Sequence, residues 1–293
     1  MAPASKSINI ICVICHQHLE PVFKKNGVPI QECKACRYRA AEISSTAGHT
    51  KRLYNDNYFS GGADGYLDYL QDKESLLGRG RWYSHLLAKY GIQNGRLLDV
   101  GAAAGVIASG FRSEGWKAEG LEPNQSMVHY GRQQLDLTMH HGSLESMVID
   151  TKFDVISMIQ VLAHLTDPAA AFRHASQMTK PGGHWLIKTW NYQSLSARIF
   201  RKSWHQYSPP RTLHWFTSHS LNALAAQFQM KFVASGGPQK SISAQHAKSL
   251  LRHATSESAF LKFMTCPAAL LPDRLMIPYL ADDLSWYLFQ NDN

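Results

Sequence analysis

Leu97-Leu98-Asp99-Val100-Gly101-Ala102-Ala103-Ala104-Gly105 reads as a buried strand running into a tight turn of very small residues. A helix is expected from about Val106. A strand that is apolar almost throughout suits the centre of a parallel sheet, covered on both faces. Gly101 and Gly105 free the backbone where a Cβ would collide with a ligand or force strain. The helix that follows presents unsatisfied N–H groups to whatever lies over the turn. In open α/β sheets such a turn is a nucleotide site. The alternative is a strand-to-helix turn that holds no ligand.

Outward from this turn, strands and helices alternate. Helical spacing of Leu76, Leu77, Trp82, Tyr83, Leu86 and Leu87 predicts a helix over 72–90, ended by Gly91. Strands are predicted over 96–101, 116–122, 138–141, 153–159, 184–189, 231–235 and 284–290. Helices follow at 106–114, from Asn124 as cap to about Leu135, after Asp167-Pro168, and over 221–229 behind the cap Thr217-Ser218. Lys180-Pro181-Gly182-Gly183 is expected to stop the helix before the fifth strand. The result is a doubly wound α/β fold with a mostly parallel seven-stranded sheet, spanning 72–293.

Residues 8–40 are expected to form a separate unit. Cys12-Val13-Ile14-Cys15 and Cys33-Lys34-Ala35-Cys36 are two C-x-x-C knuckles at zinc-ribbon spacing. Four thiolates close a tetrahedral shell, so the zinc implied is structural. Between them Asn26-Gly27 marks a hairpin turn. His16 and His18 are possible substitute ligands, but read better as surface residues. Residues 41–71 form a connector rich in aromatics, Tyr54, Tyr58, Tyr66 and Tyr69 among them, read either as a docking strap or as a lid.

The turn does not satisfy the dinucleotide pattern G-x-G-x-x-G, because position 106 is Val106. With Asp99 two residues before Gly101, it resembles the first motif of class I S-adenosylmethionine (SAM) methyltransferases, roughly (D/E)-x-G-x-G-x-G. Ala103 stands where the middle glycine would be. Glu122, 21 residues past Gly101, falls where that family carries an acid for the ribose hydroxyls. The runs 153–156, 161–168 and 180–183 match its later landmarks. The order of ribbon, Tyr-x-x-x-Tyr-Phe segment, core and the Pro-Pro-Arg-x-Leu-x-x-Phe-Thr segment at 209–217 resembles a bacterial zinc-ribbon subgroup whose acceptors vary.

The resemblance implies that Asp99 holds the methionine ammonium and that Gly101, Ala103 and Gly105 pass beneath the methionine part. It also implies that Glu122 with Pro123 takes the ribose, that Ser143 and Leu144 flank adenine, and that Gln160 lies near the sulfonium. Ser143 replaces an acid that many relatives carry. Ubiquinone-biosynthesis O-methyltransferases have E-x-x-E-H, with a divalent metal, where this chain has Gln160-Val161-Leu162-Ala163-His164. Both carboxylates are gone, so neither that metal nor a catechol acceptor carries over.

The candidates for a catalytic base are His164 and the residues of a loop insertion over 190–216, His205, Tyr207 and His214. That loop also holds Trp190, Trp204 and Arg211, and begins where ligands of open α/β sheets bind. Each of these side chains has a second reading as a structural residue that pins the loop. The loop and the aromatic connector are expected to meet over the sulfonium.

A formal charge of +8 and 44% apolar residues describe a globular chain that tolerates anionic partners, from nucleotide-linked small molecules to RNA. No apolar run of membrane-spanning length occurs. The start of the chain carries no signal-peptide core, which points to a cytoplasmic protein. The expected activity is SAM-dependent methyl transfer to a small-molecule acceptor, a sugar or secondary metabolite, at O, N or C. RNA is the alternative acceptor, weakened because no aromatics alternate with basic residues as a nucleic-acid groove requires. A non-catalytic SAM-binding zinc protein is the other alternative. Cys266, beside Pro267, is similar in setting to the cysteine of RNA cytosine-C5 methyltransferases, but stands far from the strand ends where theirs lies, and is expected to be buried and inert. Oligomeric state leaves no trace in the sequence.

Overall fold

The computed structural model describes residues 10–43, 72–147, 149–237, 241–243, 272, 276–278 and 283–293. The aromatic connector, apart from its first three residues, and Cys266 lie outside the described residues.

The central sheet has seven strands: β4 (Arg96–Val100), β5 (Lys117–Glu122), β6 (Thr138–His141), β7 (Phe153–Ile159), β8 (Thr179–Trp190), β10 (Met230–Gly236) and β13 (Leu284–Asn291). Their order is β10-β13-β8-β7-β4-β5-β6. Strands β6, β5, β4, β7 and β8 run parallel, and β13 inserts antiparallel between β8 and β10. The chain leaves β4 in one direction for β5 and β6, then returns to β7 on the other side. The crevice beyond the β4 and β7 ends is thus the topological switch point. This is the doubly wound fold expected.

Helices cover both faces, as the apolar content of the strands requires: α1 (Lys73–Lys89), α2 (Val106–Ser113), α3 (Gln125–Gln134), α4 (Pro168–Met178), α5 (Leu195–Phe200) and α6 (Ser218–Ala226). One core cluster gathers Tyr83, Leu87, Leu97, Phe111, Trp116 and Val155. A second gathers Leu98, Ile156, Phe172, Trp185, Leu221 and Phe289. Helix α1 crosses α2 at Gly80 and Gly110, where a Cβ on either would lie within 2.4 Å of the other helix's backbone oxygens. Two small residues at one crossing let the helices approach until backbone meets backbone.

The 180–183 stretch does not end a helix. Helix α4 already stops at Met178, and these residues belong to β8, with Gly182 at φ +67°. A short antiparallel pair, β11 (Ser241–Ser243) and β12 (Met276–Pro278), stands outside the main sheet.

The N-terminal unit is an antiparallel sheet of β1 (Glu20–Lys25), β2 (Val28–Glu32) and β3 (Arg39–Ala41). Its hairpin turns at Asn26 and Gly27, both at positive φ, as the Asn-Gly pair predicts. It is not self-contained. A fourth strand, β9 (His214–Trp215), comes from the 190–216 segment and pairs with β3. Cys12, Cys33, Cys36 and Tyr38 pack in the same core cluster as Leu98, Ile156 and Phe216 of the main fold. The 190–216 segment is likewise more than a loop, since it contains α5, a 3₁₀ turn at Arg201–Ser203 and β9.

Candidate active site and metal centre

A cavity of about 430 Å³ opens at the switch point, within the range of small-molecule sites, roughly 300–1,000 Å³. Its floor is the turn after β4. Gly101 sits at φ +66°, and a Cβ there would lie 2.7 Å from Val161 Cγ2. Ala103 also takes positive φ, +48°, a region that costs a side-chain-bearing residue about 1–2 kcal/mol. That cost explains in physical terms why glycine fits the middle of such a turn.

Two carboxylates flank the turn. Asp99 is 2% exposed, and its Oδ1 accepts from Ser157 Oγ of β7 at 2.7 Å. Glu122, 4% exposed, ends β5; it accepts from the Ala103 N–H at 2.9 Å and the Asn124 N–H at 2.8 Å. It therefore ties the turn to the β5 end while keeping lone pairs for further donors. Burial pushes both carboxyls up to about 7, and for Asp99 the nearby Glu122 adds to the rise. Among the described residues, neither meets a Lys or Arg at ion-pair distance. A ligand with a cationic group and a diol fits this pair.

Pro123, Ser143, Leu144 and Gln160 also line the cavity. Ser143 Oγ is 3.0 Å from Ser146 Oγ. Gln160, at φ +59°, turns the chain as it leaves β7. Of the residues the sequence assigned to the cofactor, only Gly105 is absent from the wall. It caps α2 at φ +80°, against Leu137 and Met139. Leu76 and Arg79 of α1 line the cavity too. Arg79 was not foreseen. Leu76 packs on Ala103 and Val106, and a residue three positions on shares its helix face, so helical phase carried the signal.

The far wall divides the four candidate bases. His164, in the 3₁₀ turn Leu162–His164, and His205 line the cavity. His164 Nδ1 donates to the Arg211 carbonyl at 3.0 Å. In the neutral ring the lone pair is then on Nε2. Burial keeps His164 below the usual imidazole range, and the Arg211 charge adds to this. His205 meets Trp190 edge-on, with ring centroids 5.4 Å apart.

Tyr207 and His214 are not in the wall. Tyr207 is 3% exposed, receives a hydrogen bond from Arg39, and packs edge-on against Phe23 and Trp204. His214 accepts from Tyr38 Oη at Nδ1 and donates from Nε2 to the Leu165 carbonyl at 2.8 Å. Both ring nitrogens are used, and burial lowers its pKa to about 4. These two join the N-terminal sheet to the segment behind the cavity wall and do not line the cavity.

Cys12, Cys15, Cys33 and Cys36 form one cluster, with Sγ atoms all within 4.8 Å of one another. Three separations are 3.4, 3.2 and 3.8 Å, too long for disulfides. An ion bound at about 2.3 Å to four tetrahedral sulfurs needs edges of about 3.8 Å, so the set fits such an ion. The knuckles are built alike. Each closes with an N–H, from His16 or Arg37, to the carbonyl of its first cysteine, and both closing residues are at positive φ. His16 and His18 are exposed and outside the cluster.

The fold and the site together define a class I SAM-dependent methyltransferase domain. The chain belongs to a methyltransferase-domain family, whose model matches residues 77–235. It is 26% identical over 108 residues to a ubiquinone biosynthesis O-methyltransferase of Alkalilimnicola ehrlichii, covering 34% of this chain and 44% of that protein. It is 31% identical over 136 residues to an uncharacterized methyltransferase of Schizosaccharomyces pombe, covering 41% and 48%. The chain thus spans about half the length of these curated relatives. In fold it is similar to a magnesium protoporphyrin IX methyltransferase from Synechocystis PCC 6803 solved with bound SAH. The TM-score is 0.51 at 12% identity, over 82% of this chain and 99% of that one. Among the described residues no helix is long and apolar enough to cross a membrane.

Proposed function

We propose that the protein transfers a methyl group from SAM to a small-molecule acceptor held beneath the 190–216 segment. The observation that carries this reading is one cavity with two buried carboxylates at one end, neither in a salt bridge among the described residues, and His164 at the other. Asp99 would hold the methionine ammonium, Glu122 the ribose hydroxyls, and Leu144 with Ser143 the adenine. Arg79 stands on the α1 side as a partner for the methionine carboxylate. SAM supplies an activated methyl group, so the chain's task is to align the acceptor and exclude water. His164 Nε2 takes the proton of a hydroxyl, amine or acidic carbon as the new bond forms. The Arg211 carbonyl positions the ring and sets its tautomer.

The cysteine cluster is proposed to hold zinc in a structural role. Tyr38, which follows Cys36, reaches His214 and through it Leu165, the neighbour of His164. The ribbon thereby braces the acceptor wall.

The test uses methyl-labelled SAM with fractionated small-molecule extract. Wild-type protein should label a product. His164→Ala should slow labelling about a hundredfold or more while binding S-adenosylhomocysteine (SAH) as wild type does. Tight NAD binding with no response to SAM or SAH would overturn the reading.

A further inference from the structure

Register lines up one row of residues across the central sheet. In it Met139, Gly120, Asp99, Ser157, Leu186 and Leu288 are successive neighbours on β6, β5, β4, β7, β8 and β13. Residues in register on adjacent strands point to one face of the sheet. Met139, Leu186 and Leu288 belong to the apolar cluster that also holds Tyr83 and Leu87 of α1 and Phe111 of α2. Asp99 and Ser157 are thus two polar neighbours in a row that is otherwise apolar or glycine.

Both are buried, Ser157 completely. A hydroxyl in such a setting costs free energy unless it is bonded, and a methyl group would serve the packing of this row as well. Ser157 Oγ donates to Asp99 Oδ1 at 2.7 Å, and the Leu98 carbonyl, at 3.4 Å, is the weaker acceptor. Strands β4 and β7 are hydrogen-bonded neighbours, so backbone fixes the donor and the carboxylate alike. Asp99 itself lines the cavity.

We infer that Ser157 is a positioning residue for the cofactor: its hydroxyl holds Asp99 by one carboxylate oxygen and so aims the other at the ligand's ammonium. The inference rests on the methyl-transfer reading and deepens it. A hydrogen bond donated to a carboxylate favours its charged form, and here it opposes the burial that pushes the Asp99 carboxyl up to about 7. Glu122 faces Asp99 from β5 and adds to the rise. From α1 comes Tyr83, its own pKa raised by burial and further by Asp99, and Lys188 of β8 lies 5.7 Å from the centre of the Tyr83 ring. Arg79 of α1 and His164 line the same cavity. A substitution at 157 leaves all of these groups in place and removes the hydroxyl.

Calorimetry compares SAH with 5′-methylthioadenosine, which keeps the nucleoside and thioether and lacks the amino-acid group. Ser157→Ala should weaken SAH binding by about tenfold or more, the scale of a charge-assisted hydrogen bond, and leave 5′-methylthioadenosine within about twofold of wild type. The pH above which SAH affinity levels off should move up. Ser157→Cys, near in volume with only a weak donor, should give the same split. A merely structural serine would weaken both ligands alike. Equal losses for the two ligands, or unchanged SAH affinity in both variants, overturn the inference and leave methyl transfer standing. Wild-type protein that binds neither ligand overturns both.

Discussion

Cofactor binding should be coupled to proton release, and the geometry sets the size of the effect. Among the described residues no cationic side chain meets Asp99 or Glu122 at ion-pair distance, and burial pushes both carboxyls up to about 7. A ligand that brings an ammonium to one and a diol to the other favours the ionised forms. Below pH 7 each must therefore lose a proton before binding, at about 1.4 kcal/mol per pH unit. Each group's ionised fraction falls about tenfold from pH 8 to pH 6. If both must ionise, affinity falls about a hundredfold, or about 2.7 kcal/mol. The sign is fixed, because the free site holds more protons than the bound one, so affinity rises with pH and levels off above about 8. Calorimetry with SAH, which lacks the sulfonium charge, in buffers of different ionisation enthalpy reads both quantities. About one proton should be released at pH 7. Asp99→Asn should reduce the pH effect to about tenfold. An affinity that changes less than about threefold between pH 6 and 8, with no proton release, refutes the reasoning.

Gly101→Ala places a Cβ 2.7 Å from Val161 Cγ2 at φ +66°, and should weaken SAH binding by about tenfold or more for a strain of about 1–2 kcal/mol. Ala103→Gly should act in the opposite sense, gaining roughly 0.5 kcal/mol by urea midpoint once the unfolded-state entropy of glycine is offset. Chelator treatment should remove about one zinc per chain, lower the melting temperature and speed amide exchange over 204–216; exchange confined to 10–41 would contradict the bracing role. His214, neutral with a folded pKa of about 4, contributes stability that is present above pH 6.5 and lost as pH falls toward 4. His214→Gln should flatten that part of the urea-midpoint profile.

The parts of this molecule legible in the sequence are those whose cause is local. Leu97–Gly105 announces strand, turn and helix within nine residues, and Glu122 ends a strand that its own pattern reveals. The cysteine pairs carry their meaning in their spacing. Tyr207 and His214 were open to two readings because a loop of polar aromatics looks alike whether it faces a ligand or the protein. Only the arrival of Arg39 and Tyr38, from the other end of the chain, decides it. Strand β9 is two residues long, too short for any periodicity, and it exists because β3 offers an edge. That edge also explains why the N-terminal unit, read as separate, is joined to the rest.

The shared sheet has a consequence for how the protein is made. Tyr38 and His214 lie 176 positions apart, so β3 emerges from a ribosome long before β9 exists. At 5–20 residues per second the delay is roughly 9–35 s. Throughout it, the nascent ribbon presents an unpaired strand edge, the kind of surface on which chains stick to one another. Capture of the proposed zinc by the four cysteines would precede this step, since all of them are made early. The final strand pairing closes that edge only once residues 214 and 215 are made, and a chain truncated before residue 214 should remain prone to aggregation even with zinc supplied.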